Sequence, residues 1–233
     1  MESREKELIE NLAAVNEDVA DAVAKTGRKT GSVAVMAVSK LHPASDIEIL
    51  YQAGHKCFGE SYVQEALAKQ DELASLDIDW HYIGGLQSKK AKYVSGRFCA
   101  IHSVDSIKLA ELLNKKAQSL GVVQNILIQV NTAGEEQKSG VSEEQLPSLI
   151  EGISALDNLK LTGFMALPPF FGDPEGARPY FARLRMLSEG MEKLFGIKLP
   201  ELSMGMTGDF RVAIEEGSTM VRVGTRIFGQ RLS

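Results

Sequence analysis

The spacing of apolar residues changes along the chain. At the N-terminus the apolar residues recur at helical spacing, namely at Leu8, Ile9, Leu12, Val15, Val19 and Val23. This spacing predicts an amphipathic helix that ends in the turn region from Gly27 to Gly31 and packs against the rest of the protein. Beyond that helix, short apolar runs of the kind found in strands alternate with helical patterns.

The apolar runs predict strands over residues 33–38, 57–58, 80–83, 98–101, 125–130, 159–165, 201–203 and 220–223. Helical signals follow these strands, and the predicted helices open near Pro43, Ser61, Ser88, Asp105, Ser142, Pro174 and Thr207. Eight alternating units predict an α/β fold, a single closed (β/α)8 TIM barrel with an extra N-terminal helix. The alternative is a doubly wound open sheet, and both folds place chemistry at the C-terminal ends of the strands.

Composition narrows the class of ligand. The 233 residues show neither a linker nor a low-complexity segment, so residues 1–233 are predicted to form one domain. A net charge of -5 argues against nucleic acid and anionic lipid as partners, because both need a basic face. The charged N-terminus and the absence of a long apolar run predict a cytoplasmic protein without a membrane segment. We expect a small-molecule ligand.

The two cysteines and the four histidines point to no metal site. Cys57 and Cys99 each lie within a short apolar stretch, so we interpret both as core thiols. The histidines at positions 42, 55, 81 and 102 lack metal-ligand spacing. The polar loop Thr132–Gly140 is interpreted as a solvated loop.

A lysine at the end of the first predicted strand is the first candidate for chemistry. Lys40 directly follows the apolar run and Ser39, where a buried strand leaves the barrel at its catalytic face. Burial there lowers the pKa of a lysine and makes its neutral amine available to condense with an aldehyde. The alternative is a lysine whose stem covers the barrel rim while its amine stays in water.

Two segments near the C-terminus have the composition of a phosphate site. Ser203–Asp209 follows the seventh predicted strand, and Gly224 and Thr225 follow the eighth. Glycine amides approach an anion closely, and the serine and threonine hydroxyls of these segments, Thr207 included, add donors. Barrel phosphate sites commonly form after strands seven and eight. Ordinary glycine turns with helix caps would produce the same composition.

Arg222 lies on the last predicted strand and carries a permanent positive charge. If it points into the barrel, it can meet a phosphate or a ring nitrogen. At a pyridine nitrogen it would keep that nitrogen unprotonated and would weaken the ring as an electron sink. By strand alternation alone, it could equally face solvent.

Several segments together resemble the pyridoxal phosphate homeostasis protein family, whose fold is similar to the N-terminal barrel of alanine racemase. The resembling segments are Ala37–Lys40, Phe58–Ser61, Trp80–Ser88, Ile101–Asp105, Val130–Asn131, Lys138–Gly140, Leu202–Asp209 and Arg222–Gly229. The resemblance runs nearly end to end. This chain departs from the family pattern at Ser61, where asparagine is usual, and at Gly85, where histidine is frequent.

The resemblance implies pyridoxal 5'-phosphate (PLP) as the cofactor, held as a Schiff base on Lys40. It further implies that Ser203 and Thr207 with the amides of Gly224 and Thr225 hold the phosphate, and that Arg222 faces the pyridine nitrogen. It implies a monomeric carrier and buffer that passes PLP to apo-enzymes and has no catalytic residues of its own.

Two other functions remain open at this point. A compact PLP-dependent racemase would use Lys40 as a base, but racemases similar to this barrel draw a catalytic tyrosine from a further β domain, and the chain ends at Ser233. A Schiff-base aldolase would use Lys40 on a sugar phosphate without a cofactor.

Overall fold

The structure, a computed structural model, describes residues 2–134 and 139–230. In this part of the chain eight parallel strands form a closed barrel in chain order, and the last strand pairs with the first. The strands are β1 (Ala34–Val38), β2 (Cys57–Glu60), β3 (Asp79–Tyr82), β4 (Ala100–Val104), β5 (Gln124–Gln129), β6 (Leu159–Met165), β7 (Glu201–Met206) and β8 (Met220–Val223). Closure between β8 and β1 rules out the open sheet, so the predicted barrel is confirmed.

Helices follow the strands and cover the outside of the barrel. They are α1 (Glu2–Lys25), α2 (Ala44–Gln52), α3 (Val63–Glu72), α4 (Ala91–Val94), α5 (Ile107–Leu120), α6 (Leu146–Ser154), α7 (Arg178–Phe195), α8 (Phe210–Glu215) and α9 (Thr225–Phe228). Short 3₁₀ turns precede α4 and α7, at Ser88–Lys90 and Pro174–Ala177. Among the described residues, no helix is both long and apolar enough to cross a membrane.

The strands are largely buried because one face lies inside the barrel and the other under the helices. All five residues of β4 are buried, for example. The extra N-terminal helix is present as predicted. Its buried stripe, which includes Leu8 and Val15, joins the main core, and α1 packs against α2, α8 and α9.

The structure corrects several boundaries near the site. Helix α8 begins at Phe210 rather than Thr207, because residues 207–209 form a turn in which Asp209 N donates to the Met206 carbonyl. Helix α3 begins at Val63 rather than Ser61, and its N-cap residue is Tyr62, which makes no side-chain capping bond.

The cysteines also differ from the prediction. Cys57 is only partly buried, and Cys99 is exposed, although the Cys99 thiol donates to the Trp80 carbonyl. Cys99 directly precedes β4 and is exposed, so it is not a core residue. The centre of the predicted loop Thr132–Gly140, residues 135–138, lies outside the described part of the chain.

Candidate functional site

Lys40 lies in a tight turn directly after β1, at the C-terminal end of the barrel. The turn spans Ser39–His42 and is closed by a 3.1 Å hydrogen bond from His42 N to the Ser39 carbonyl. Leu41 occupies the third position of this turn with φ of 64°, a left-handed conformation that a type II turn requires and that glycine usually adopts.

A buried polar network lies behind this turn, between the barrel wall and α3. The Lys69 ammonium donates to the Ser39 carbonyl at 2.7 Å, to Glu60 at 2.7 Å and to Glu65 at 2.6 Å. The Ser39 hydroxyl donates to the same Glu60 oxygen at 2.7 Å. Burial raises the pKa of Glu60, and Lys69 and Ser39 act against that shift. The network therefore holds Ser39, the residue before Lys40, in place.

Arg222 lies on β8 with its side chain inside the barrel and is only 3% exposed. Its guanidinium donates to the Ser203 carbonyl at 2.5 Å, to the Ser203 hydroxyl at 2.8 Å and to the Ala166 carbonyl at 2.9 Å. Burial lowers the pKa of Arg222 to about 10, and Asp209 opposes the shift. Arg222 is therefore still a cation at neutral pH, held in a fixed orientation by β6 and β7.

The segment after β7 and the segment after β8 meet at one end of the barrel. The turn after β7 holds Thr207 and Gly208, with Met206 N donating to the Asp209 carboxylate at 2.6 Å. Gly224 precedes α9, and a Cβ at this glycine would come within 3.3 Å of the Val38 carbonyl. The close approach brings the Gly224–Thr225 backbone beside the end of β1, two residues before Lys40.

These segments line one cavity of about 350 Å³ at the C-terminal end of the strands. The volume suits a small ligand. Lys40, Arg222, Thr207 and Thr225 line it, together with apolar residues from the segment after β6. The lining residues are Val38, Lys40, His42, Ser61, Ile83, Leu167, Phe170, Phe171, Pro174, Ala177, Met206, Thr207, Gly208, Asp209, Arg222, Gly224 and Thr225.

The cavity brings together five of the six residues predicted from the sequence, namely Lys40, Thr207, Arg222, Gly224 and Thr225. Ser203 does not line it. Its side chain is fully buried beneath the cavity, where it accepts a hydrogen bond from Arg222. Ser61, one of the two departures from the family pattern, lies in the cavity wall, whereas Gly85 is not among the lining residues.

Sequence reasoning missed two groups near this site. The first is the network of Glu60, Glu65 and Lys69, whose signal was the four-residue spacing of opposite charges on α3. The second is a histidine pair inside the barrel, in which His81 Nδ1 lies 2.9 Å from His102 Nε2. The histidines lie on neighbouring strands, so their contact depends on the register of β3 and β4. In the described part of the chain no cluster of three or more potential metal ligands forms.

Comparison with known proteins identifies the family. Residues 11–232 match the family model described as alanine racemase, N-terminal domain. A pyridoxal phosphate homeostasis protein of Aquifex aeolicus is 44% identical over 222 residues, which cover 95% of this chain and 97% of that protein. The structure of PipY from Synechococcus elongatus PCC7942 with PLP bound superposes with a TM-score of 0.80 at 37% identity, covering 91% of this chain and 100% of PipY.

The barrel also superposes on larger enzymes. Alanine racemase of Clostridium difficile 630 gives a TM-score of 0.76 at 14% identity, covering 98% of this chain and 58% of the racemase. At this identity the likeness concerns the fold alone. The extent and identity of the other matches are decisive, and the chain belongs to the alanine racemase N-terminal domain family and, within it, to the pyridoxal phosphate homeostasis proteins.

Proposed function

We propose that this protein binds PLP through a reversible covalent bond to Lys40 and serves in PLP homeostasis as a carrier or buffer. The observation that carries the proposal is the cavity that joins Lys40 to the Thr207 and Gly224–Thr225 segments, with Arg222 at its floor. In addition, the relatives carry the name of pyridoxal phosphate homeostasis proteins, and PipY was solved with PLP bound.

The residues present fit the chemical groups of PLP. Glycine backbone and two threonine hydroxyls suit a phosphate, because they offer donors without blocking close approach. Gly224 lies so close to Val38 that the Cβ of a larger residue would crowd the Val38 carbonyl. Arg222 would face the pyridine nitrogen and, as a cation at neutral pH, would keep that nitrogen unprotonated.

When bound, PLP supplies an aldehyde. Lys40 in its neutral form would supply the amine that condenses with this aldehyde, and the two amine protons would leave with the aldehyde oxygen as water. Water reverses the reaction, so a lysine at an open cavity can both store and release the aldehyde. The role of Arg222 limits carbanion chemistry on the ring, which favours storage over turnover.

We further propose that the protein turns over no substrate and acts as a monomer in the cytoplasm, with apo-enzymes that need PLP as its partners. The relatives are named for homeostasis rather than for a reaction, which supports this role over a compact racemase. Incubation with L-alanine and added PLP, followed by chiral analysis, separates the two. Conversion to D-alanine above the rate of free PLP would contradict the carrier role.

The direct test is the visible spectrum of the purified protein with PLP before and after borohydride, followed by peptide mass spectrometry. We expect a visible band that borohydride removes and a reduced pyridoxyl adduct on Lys40. Lys40→Ala should lose the band and retain weaker, noncovalent binding through the phosphate segments. Lys108→Ala, a change of an exposed lysine on α5 that does not line the cavity, serves as the matched control.

An adduct on another lysine, or an unchanged spectrum in Lys40→Ala, would contradict the assignment of Lys40. A protein that ignores added PLP would contradict the proposed function and would favour the cofactor-free aldolase.

A further inference from the structure

The turn that carries Lys40 is strained and is held from outside the barrel by one helix. Leu41 adopts φ of 64°, where the Cβ of a residue other than glycine crowds the backbone. A turn of this kind persists only when its surroundings hold it in place. The Ser39–His42 turn is held by contacts on both sides of Lys40.

On the C-terminal side of Lys40, the Leu41 amide donates to the Glu65 carboxylate at 2.6 Å. On the N-terminal side, the Ser39 carbonyl accepts the 2.7 Å hydrogen bond of the Lys69 ammonium. Glu65 and Lys69 lie one turn apart on α3 and bind each other at 2.6 Å. Both neighbours of Lys40 are therefore fastened to the same ion pair.

The ion pair is itself firmly placed. Lys69 is 6% exposed, and its three ammonium protons meet three acceptors, the Ser39 carbonyl, Glu60 and Glu65. Glu60 is fully buried at the end of β2, so it fixes Lys69 against the barrel wall. A buried ammonium with all its donors satisfied is a rigid anchor.

We propose that Glu65 and Lys69 are positioning residues that hold the Ser39–His42 turn in its left-handed geometry and so direct the Lys40 amine into the cavity. Neither residue lines the cavity. They act through the backbone of Ser39 and Leu41. The effect on the bond between Lys40 and PLP rests on the proposed function. The hydrogen bonds from Glu65 and Lys69 to the turn are present without any ligand.

The test uses the change Glu65→Met, which keeps the length and helix propensity of the side chain and removes the acceptor for the Leu41 amide. Glu65→Gln keeps an acceptor oxygen. Glu72→Met makes the same change at an exposed position of α3. If Glu65→Met fails to fold, Glu65→Ala takes its place.

Two readouts are compared. The first is the three-bond amide–Hα coupling of Leu41 in the ligand-free protein, which reports φ by NMR. The second is the rate at which the visible band of the PLP–Lys40 linkage forms, beside the affinity for pyridoxine 5'-phosphate, which has no aldehyde. We expect Glu65→Met to change the coupling and to slow the linkage by about tenfold to a hundredfold, as for a misplaced reacting group. The affinity of Glu65→Met for pyridoxine 5'-phosphate should stay near that of wild type. Glu65→Gln and Glu72→Met should resemble wild type in both readouts.

A second substitution separates positioning from general support of the fold. Glycine adopts a positive φ without strain, so Leu41→Gly should restore much of the linkage rate in the Glu65→Met background. Rates that are equal in wild type and Glu65→Met, or a slow Glu65→Met that Leu41→Gly leaves unchanged, would overturn the proposal. Wild-type protein that never forms the linkage would instead overturn the proposed function. The Leu41 coupling in wild type and Glu65→Met would still decide whether Glu65 holds the turn.

Discussion

At the scale of single residues, the site separates groups that face the cavity from groups that hold them. Thr207 and Arg222 line the cavity, whereas Ser203 is fully buried and its hydroxyl accepts from Arg222. The arginine also donates to two backbone carbonyls, so it keeps partners if the serine hydroxyl is lost. The prediction that Ser203 holds the phosphate stays a prediction, and the geometry favours a role through Arg222.

Two substitutions distinguish these roles. Thr207→Val should raise the Kd for PLP by about tenfold, because it removes a hydrogen bond to a charged group. Ser203→Ala should change the Kd less, and the double variant should loosen PLP without unfolding the barrel. Thr30→Val, at an exposed position outside this cavity, is the control. Absorbance titration measures each affinity, and a larger effect of Ser203→Ala than of Thr207→Val would place the serine on the phosphate.

At the scale of elements, α1 is attached to the short helix that begins at the cavity. Asn11 donates to the Ile227 carbonyl at 3.0 Å and Arg4 donates to the Phe228 carbonyl at 2.8 Å, both at the C-terminal end of α9. Asp18 pairs with Arg226 on the same helix. Because α9 starts directly after Gly224, these contacts stabilise the position of the Gly224–Thr225 backbone.

Removal of two of these contacts should therefore affect the site at a distance. The double change Arg4→Ala and Asn11→Ala should lower the free energy of unfolding by about 1–3 kcal/mol and should speed the release of PLP. Urea unfolding and a PLP transfer assay measure the two effects. Glu17→Ala, an exposed change on α1, provides the comparison. Loss of stability with an unchanged release rate would show that α1 supports the fold but not the site.

At the scale of the whole molecule, the inside of the barrel holds buried ionisable groups. Burial lowers the pKa of His81 to about 4 and the pKa of His102 well below its usual range, and both rings are neutral at pH 7. A histidine whose pKa is lower in the folded state binds fewer protons folded than unfolded. Its stabilising contribution is complete above pH 6.5 and is lost as the pH falls toward 4.

The barrel should therefore lose stability in mild acid. For His81 alone, the expected loss in the free energy of unfolding between pH 7 and pH 5 is about 2 kcal/mol. His81→Gln keeps a hydrogen-bonding group beside His102 and does not titrate, so its stability should fall less over this range. Urea unfolding at the two pH values tests this. Equal losses in wild type and His81→Gln would show that other groups set the acid sensitivity.

The sequence by itself determined the architecture, because alternating apolar runs and helical patterns leave few ways to bury so many strands. The strands at Leu159–Met165 and Met220–Val223 match the prediction residue for residue. The prediction that residues 1–233 form one domain stays a prediction. Lys40 could be selected as a candidate because a lysine that ends a buried strand is conspicuous in the sequence alone.

Only the tertiary structure decided which side chains face the cavity and which lie behind it. Alternation along β7 and β8 leaves Ser203 and Arg222 either inward or outward, and in the folded barrel both side chains are buried and hydrogen-bonded to each other. The Glu65–Lys69 spacing predicts an ordinary surface pair, yet the packing of α3 on β1 and β2 places it against the turn of Lys40. Local periodicity specifies elements, whereas contacts between residues distant in the chain depend on how those elements pack.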